Sequence, residues 1–101
     1  MRLSVFECET LKNAARDSFG ERVELRLFGS RADDSRKGGD IDLLINVALT
    51  DPTEIARAHT RFLSRVYAQM GEQKLDVLID FPGRQSKAPI FELARQEGVR
   101  L

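Results

Sequence analysis

The sequence predicts an α/β (α+β) fold: a small mixed three-stranded sheet packed with about four helices. Three observations carry that expectation. Three short segments alternate apolar and polar residues with the period of a strand. Around them lie segments with helical spacing, opened by capping residues and closed by glycine. The 101 residues give enough chain for one domain, residues 1–101, with a single core.

The first helix is predicted over residues 5–19. Ser4 and Glu7 have the spacing of a capping box, and Gly20 is placed to end it. Phe6, Leu11, Ala14, Ala15 and Phe19 form its apolar stripe. Val23, Leu25 and Leu27 then alternate with Arg22, Glu24 and Arg26, giving a strand with one buried face that ends at Phe28-Gly29. Residues 31–39 are polar, a loop or a short helix followed by a loop, and residues 41–47 are the second strand. Asp51, Pro52 and Glu54 suit the cap, first position and first turn of the next helix. Ile55, Ala58, Phe62, Val66 and Met70 recur at helical spacing, and Gly71 stops it. In residues 74–80, Leu75, Val77 and Ile79 share one strand face, while Asp76, Leu78 and Asp80 share the other. Pro89 begins a last helix, residues 90–97, closed by Gly98. The helices are expected mainly on one face of the sheet.

Composition narrows the function. Lys and Arg total 16 and Asp and Glu total 16, so the formal net charge is zero and no global positive field draws in nucleic acid. Hydrophobic residues at 42% favour a globular fold over disorder. Cys8 is the single cysteine, which excludes an intramolecular disulfide and a cysteine-based zinc cluster. His59 lies within its helix with no cysteine or second histidine near it. The N-terminus lacks a signal-peptide core, and there is no run of about 18 apolar residues. The expectation is a cytoplasmic protein with no membrane partner.

The informative stretch is residues 27–45, LFGSRADDSRKGGDIDLLI. Aspartate is disfavoured in strands. Here one strand opens with Asp40-Ile41-Asp42 and another carries Asp76 in its middle. Period-two geometry puts Asp40 and Asp42 on one face, about 6–7 Å apart along the strand. If the two strands are neighbours, Asp76 joins that face. Close carboxylates repel one another, and a divalent cation relieves the repulsion. Magnesium prefers such hard oxygen ligands together with substrate phosphates. Gly29 permits a tight turn and close backbone approach, Ser30 offers a hydroxyl and a backbone N–H, and Arg31 offers a charge-assisted phosphate contact. Taken singly, Gly-Ser is a turn, Asp-x-Asp is a solvated strand start, and Asp33 and Asp34 are loop charges. The ordered combination is far more specific than any part.

On these residues the sequence resembles the minimal nucleotidyltransferase branch of the DNA polymerase β-like nucleotidyltransferase superfamily. The match runs through Leu27-Phe28-Gly29-Ser30-Arg31-Ala32, Asp40-Ile41-Asp42-Leu43-Leu44 and Leu75-Asp76-Val77-Leu78, with a similar closing helix, Ile90 onward to Val99. It covers residues 23–101. Nine residues separate Ser30 from Asp40, one fewer than is common in the family, and Asp33 and Asp34 stand where many members carry Arg-Gly. The resemblance implies a polymerase β-like nucleotidyltransferase fold and transfer of a nucleoside monophosphate, AMP from ATP, to an acceptor hydroxyl. It implies Asp40, Asp42 and Asp76 as catalytic residues and ligands of two Mg2+ ions, with Gly29, Ser30 and Arg31 on the nucleotide. It further implies a HEPN-type helical toxin as partner, modified on a tyrosine by this chain acting as antitoxin. Two other readings stand beside it: a non-catalytic antitoxin or interaction module, and a nucleotide-binding sensor with a degenerate site. The small sheet with a free edge is compatible with a homodimer or a hetero-complex.

Overall fold

Ser4 starts the first helix as a reciprocal cap. Its Oγ accepts from the Glu7 amide at 3.0 Å, and Glu7 Oε1 accepts from the Ser4 amide at 2.9 Å. The structure, a computed structural model, describes residues 1–33, 35 and 39–101. Helix α1 spans Val5–Phe19, and β1, Glu24–Phe28, leads into a 3-10 turn at Gly29–Arg31. Strand β2 is Ile41–Asn46, α2 is Pro52–Met70 and β3 is Leu75–Asp80. Helix α3, Pro89–Glu97, and β4, Val99–Arg100, close the order. The fold is mixed α+β. Its sheet has the order β3-β2-β1-β4, with β2 parallel to β3 and antiparallel to β1, and β1 antiparallel to β4.

Leu25, Leu27, Ile41, Leu43 and Ile45 turn to one sheet face and pack against α1 and α2. From the helices come Leu11, Ala15, Ile55, Ala58, Phe62 and Val66, and the Phe19 and Phe62 rings lie 5.9 Å apart. Asp51 caps α2 by accepting from the Thr53 amide at 3.1 Å, and Pro52 occupies its first turn. His59 is half-buried in α2, and burial lowers its pKa.

Three differences from the sequence expectation have physical causes. Phe6 is exposed rather than part of the core stripe. It lines an open groove between α1 and α2 with Thr10, Asn13 and Ala68. The sheet is covered on both faces, because α3 lays Phe91 and Ala94 over Phe28, Leu44 and Leu78. The unbroken run Leu43-Leu44-Ile45 is the signature of a strand buried on both sides. The sheet also has a fourth strand and, among the described residues, three α-helices rather than about four. Strand β4 is two residues long, too short for a period, and exists through its pairing with β1. Arg26 and Arg100 stand opposite each other in that pairing, and the Glu24 carboxylate forms an ion pair with each, at 3.8 and 3.3 Å. Gly98 lets the chain turn from α3 into β4, since a Cβ there would overlap the Ala94 carbonyl oxygen. Among the described residues no helix is long and apolar enough to cross a membrane.

An aspartate holds α3 to the sheet. Asp80, the last residue of β3, accepts from Arg84 Nε at 2.9 Å and from Arg95 Nη2 at 2.6 Å. Arg84 also stacks 3.7 Å over the Phe91 ring. Burial raises the pKa of Asp80, but the hydrogen bonds and charges of Arg84 and then Arg95 outweigh it, so the net shift is downward. A depressed folded-state pKa gives stabilisation that is complete above the unfolded value of about 3.9 and lost as pH falls through the folded value. We expect Asp80→Asn to cost about 1–2 kcal/mol near neutral pH, the half-exposed Arg95 arm adding little. Urea unfolding of both proteins should show this gap shrinking as pH falls below the unfolded value and through the lower folded one. A gap independent of pH would contradict the ionic clamp.

Candidate active site

The site grows from the pairing of β2 with β3. Their parallel register sets Ile41 against Leu75, Asp42 against Asp76 and Leu43 against Val77. Two aspartates therefore face each other across neighbouring strands, about 4.8 Å apart at the backbone. They share the sheet face that α3 covers further along, at Leu44 and Leu78. Asp76 is exposed and Asp42 is half-buried. Asp40 lies two residues before Asp42, just outside the strand, and is also half-buried.

The β1 end meets this pair from the other side. Phe28 is the register partner of Asp42, so the Gly29–Arg31 turn begins beside the Asp42 carboxylate. Gly29 has φ +74°, and a Cβ built there would overlap Asp42 Oδ2. Glycine is needed twice over, for the left-handed backbone and for the close approach. The Ala32 amide closes the turn on the Gly29 carbonyl at 3.2 Å, and the Ser30 carbonyl accepts from Arg2 Nη2 at 3.1 Å.

Two of the sequence-predicted residues are engaged in ways the sequence did not suggest. Asp40 Oδ2 lies 3.3 Å from Lys74 Nζ. Both side chains of that ion pair are exposed, which makes it a weak, solvent-screened contact. Among the described residues, no three His, Cys, Asp or Glu side chains are assembled as a metal-ligand group. The donors nonetheless fit magnesium in kind, being hard carboxylate oxygens on one open sheet face beside a glycine that leaves room for Asp42. Arg31 has its donors within the protein, on the Gly39 and Arg2 carbonyls. A phosphate contact would have to displace them.

Sequence reasoning missed Glu97. A hollow of about 360 Å³ beside the turn is lined by Gly29, Ala32, Asp33 and Glu97. Continuing the Leu27–Val99 register brings the end of α3 level with Gly29. Glu97 is placed by the β1–β4 pairing, and nothing local in the sequence signals it. Asp33 Oδ1 accepts from the Ser35 amide at 2.9 Å and the Ser35 hydroxyl at 2.6 Å, a local turn bond. Asp34 lies outside the described residues. His59 belongs to α2, which covers the other sheet face, and Cys8 is a half-buried free thiol on α1.

Compared with protein-family models and with curated proteins, the chain matches none.

Gly29→Ala tests the turn. Strain from the left-handed backbone should cost about 1–3 kcal/mol in urea unfolding. Asp42 must also swing away, so Mn2+ affinity in a titration should fall. Undiminished stability with unchanged Mn2+ affinity would show that Gly29 does not constrain Asp42.

Proposed function

We propose that this chain is a metal-dependent nucleotidyltransferase with a polymerase β-like nucleotidyltransferase fold. It would move AMP from ATP to an acceptor hydroxyl. The observation that supports the reading most is the register of Asp42 with Asp76, with the Gly29-Ser30 turn packed against Asp42. Carboxylates paired across two strands and left open on one side suit a reaction on a highly charged substrate. The resemblance of the Gly-Ser, Asp-x-Asp and central Asp motifs to the minimal nucleotidyltransferase branch points the same way.

In this reading Asp40, Asp42 and Asp76 would hold two magnesium ions, which would neutralise the triphosphate and acidify the acceptor hydroxyl. The backbone N–H groups and hydroxyl of Gly29-Ser30 hold the terminal phosphates. Asp76, the most exposed of the three carboxylates, takes the proton of the acceptor hydroxyl. The acceptor oxygen bonds to the α-phosphorus, the bond from that phosphorus to the bridging oxygen breaks, and pyrophosphate leaves. The acceptor is brought by a partner. We propose a cytoplasmic HEPN-type toxin, modified on a tyrosine, with this chain as its antitoxin.

A second reading has its own observation. Asp40 pairs with Lys74, and Ile90, Leu93 and Val99 are exposed around α3 and β4. That combination suits an antitoxin that neutralises by binding alone. Label transfer from α-phosphate-labelled ATP, with magnesium, into a lysate of the source cell separates the two. The enzyme predicts a labelled protein band, reduced by more than about 100-fold with Asp42→Asn, beyond the loss usual for outer-sphere partners. No transfer by the folded wild-type chain would favour binding alone.

A further inference from the structure

We infer that Arg31 is a positioning residue that sets the spacing between the Gly29-Ser30 turn and the start of the Asp40-x-Asp42 strand. The inference rests on the nucleotidyltransferase reading above and adds to it the side chain that holds the two halves of the site in place. Arg31 directly follows Ser30, and Gly39 directly precedes Asp40. The Arg31 guanidinium joins the two: Nε and Nη2 both donate to the Gly39 carbonyl, at 3.3 and 3.0 Å. Its third nitrogen, Nη1, donates to the Arg2 carbonyl at 3.1 Å and lies 3.5 Å from Glu7 Oε2. The side chain is 19% exposed.

The tie is reciprocal. The Arg2 amide donates to the Arg31 carbonyl at 2.7 Å, and Arg2 Nη2 donates to the Ser30 carbonyl. Glu7 divides its carboxylate, with Oε1 on the α1 cap and Oε2 toward Arg31. One planar fork thus links the N-terminal segment, the first turn of α1, the Gly-Ser turn and the residue before Asp40. A lysine ammonium carries the same charge but cannot reach these partners in a fixed plane. Without the fork, Gly39 has the backbone freedom of a glycine and Asp40 inherits it.

Arg31→Ala, Arg31→Lys and Glu7→Gln test the inference by two readouts. The first is the magnesium midpoint of label transfer at saturating ATP. The second is hydrogen exchange of the Ile41 amide, which donates to the Lys74 carbonyl at 3.1 Å where β2 begins. Removing Arg31 should raise the midpoint roughly 10- to 100-fold, the range for residues that orient metal ligands. Excess magnesium should restore the rate with KM for ATP unchanged, and Ile41 should exchange faster. Arg31→Lys should behave like Arg31→Ala, and Glu7→Gln, which keeps an oxygen for the cap, should fall between them and the wild type. A raised KM for ATP with an unchanged midpoint, rescued by lysine, would overturn the inference and make Arg31 a phosphate contact. Should the wild type transfer nothing, the proposed function fails on its own. Mn2+ affinity and Ile41 exchange then decide, and no change in either for folded Arg31→Lys overturns the positioning role.

Discussion

The parallel pairing of β2 with β3 is the constraint on which the rest depends. Strand β2 is buried on both faces, so its register is fixed from two sides at once. Leu43 and Ile45 fill the α1–α2 face, while Leu44 fills the α3 face. A slip of one residue would turn Asp42 into the core and Leu43 toward solvent. Burial therefore does more than stabilise the sheet: it holds the carboxylate of Asp42 level with that of Asp76. Helix α2 is the crossover that permits parallel neighbours, and its capped start and glycine stop give it a defined length.

Strand β3 shows how one sheet face is divided between structure and chemistry. Asp76 and Asp80 lie four residues apart on that face, with opposite surroundings. Asp80 is covered by α3 and meets two guanidinium groups, which hold its pKa low. Asp76, beyond the reach of the helix, is exposed. The helix thus seals the Leu44–Leu78 half of the face and does not extend over Asp76. Its last residue, Glu97, marks the boundary beside Gly29. Asp33 and Glu97 add two further carboxylates at that rim.

Features with local causes were legible in the sequence. Ser4 with Glu7, and Asp51 with Pro52, fixed the helix starts because capping acts within one turn. The alternation of Val23, Leu25 and Leu27, and of Leu75, Val77 and Ile79, marked strands because these residues all pack into the core that α1 and α2 form on one sheet face. The strand-start aspartates stood out because local propensity disfavours them. What escaped notice is set by distant partners. Strand β4 exists only through β1, and Glu97 follows from it. The second apolar cluster depends on where α3 lands. Phe6 matched the helical stripe, yet it sits at the edge of an open groove. Arg31 and Asp40 were visible as charged residues, but their partners, the Gly39 carbonyl and the Lys74 ammonium, come from tertiary contact.

We propose that the end of β2 and β3 beside Gly29 holds a metal-bound nucleoside triphosphate. The most direct measurement is paramagnetic broadening by Mn2+ of the backbone amide signals, with and without a non-hydrolysable ATP analogue. Signal should be lost selectively at Gly29, Ser30, Asp40, Asp42 and Asp76, more deeply with the analogue, with α2 residues such as His59 spared. Broadening spread over exposed acidic residues elsewhere, indifferent to the nucleotide, would contradict the proposal.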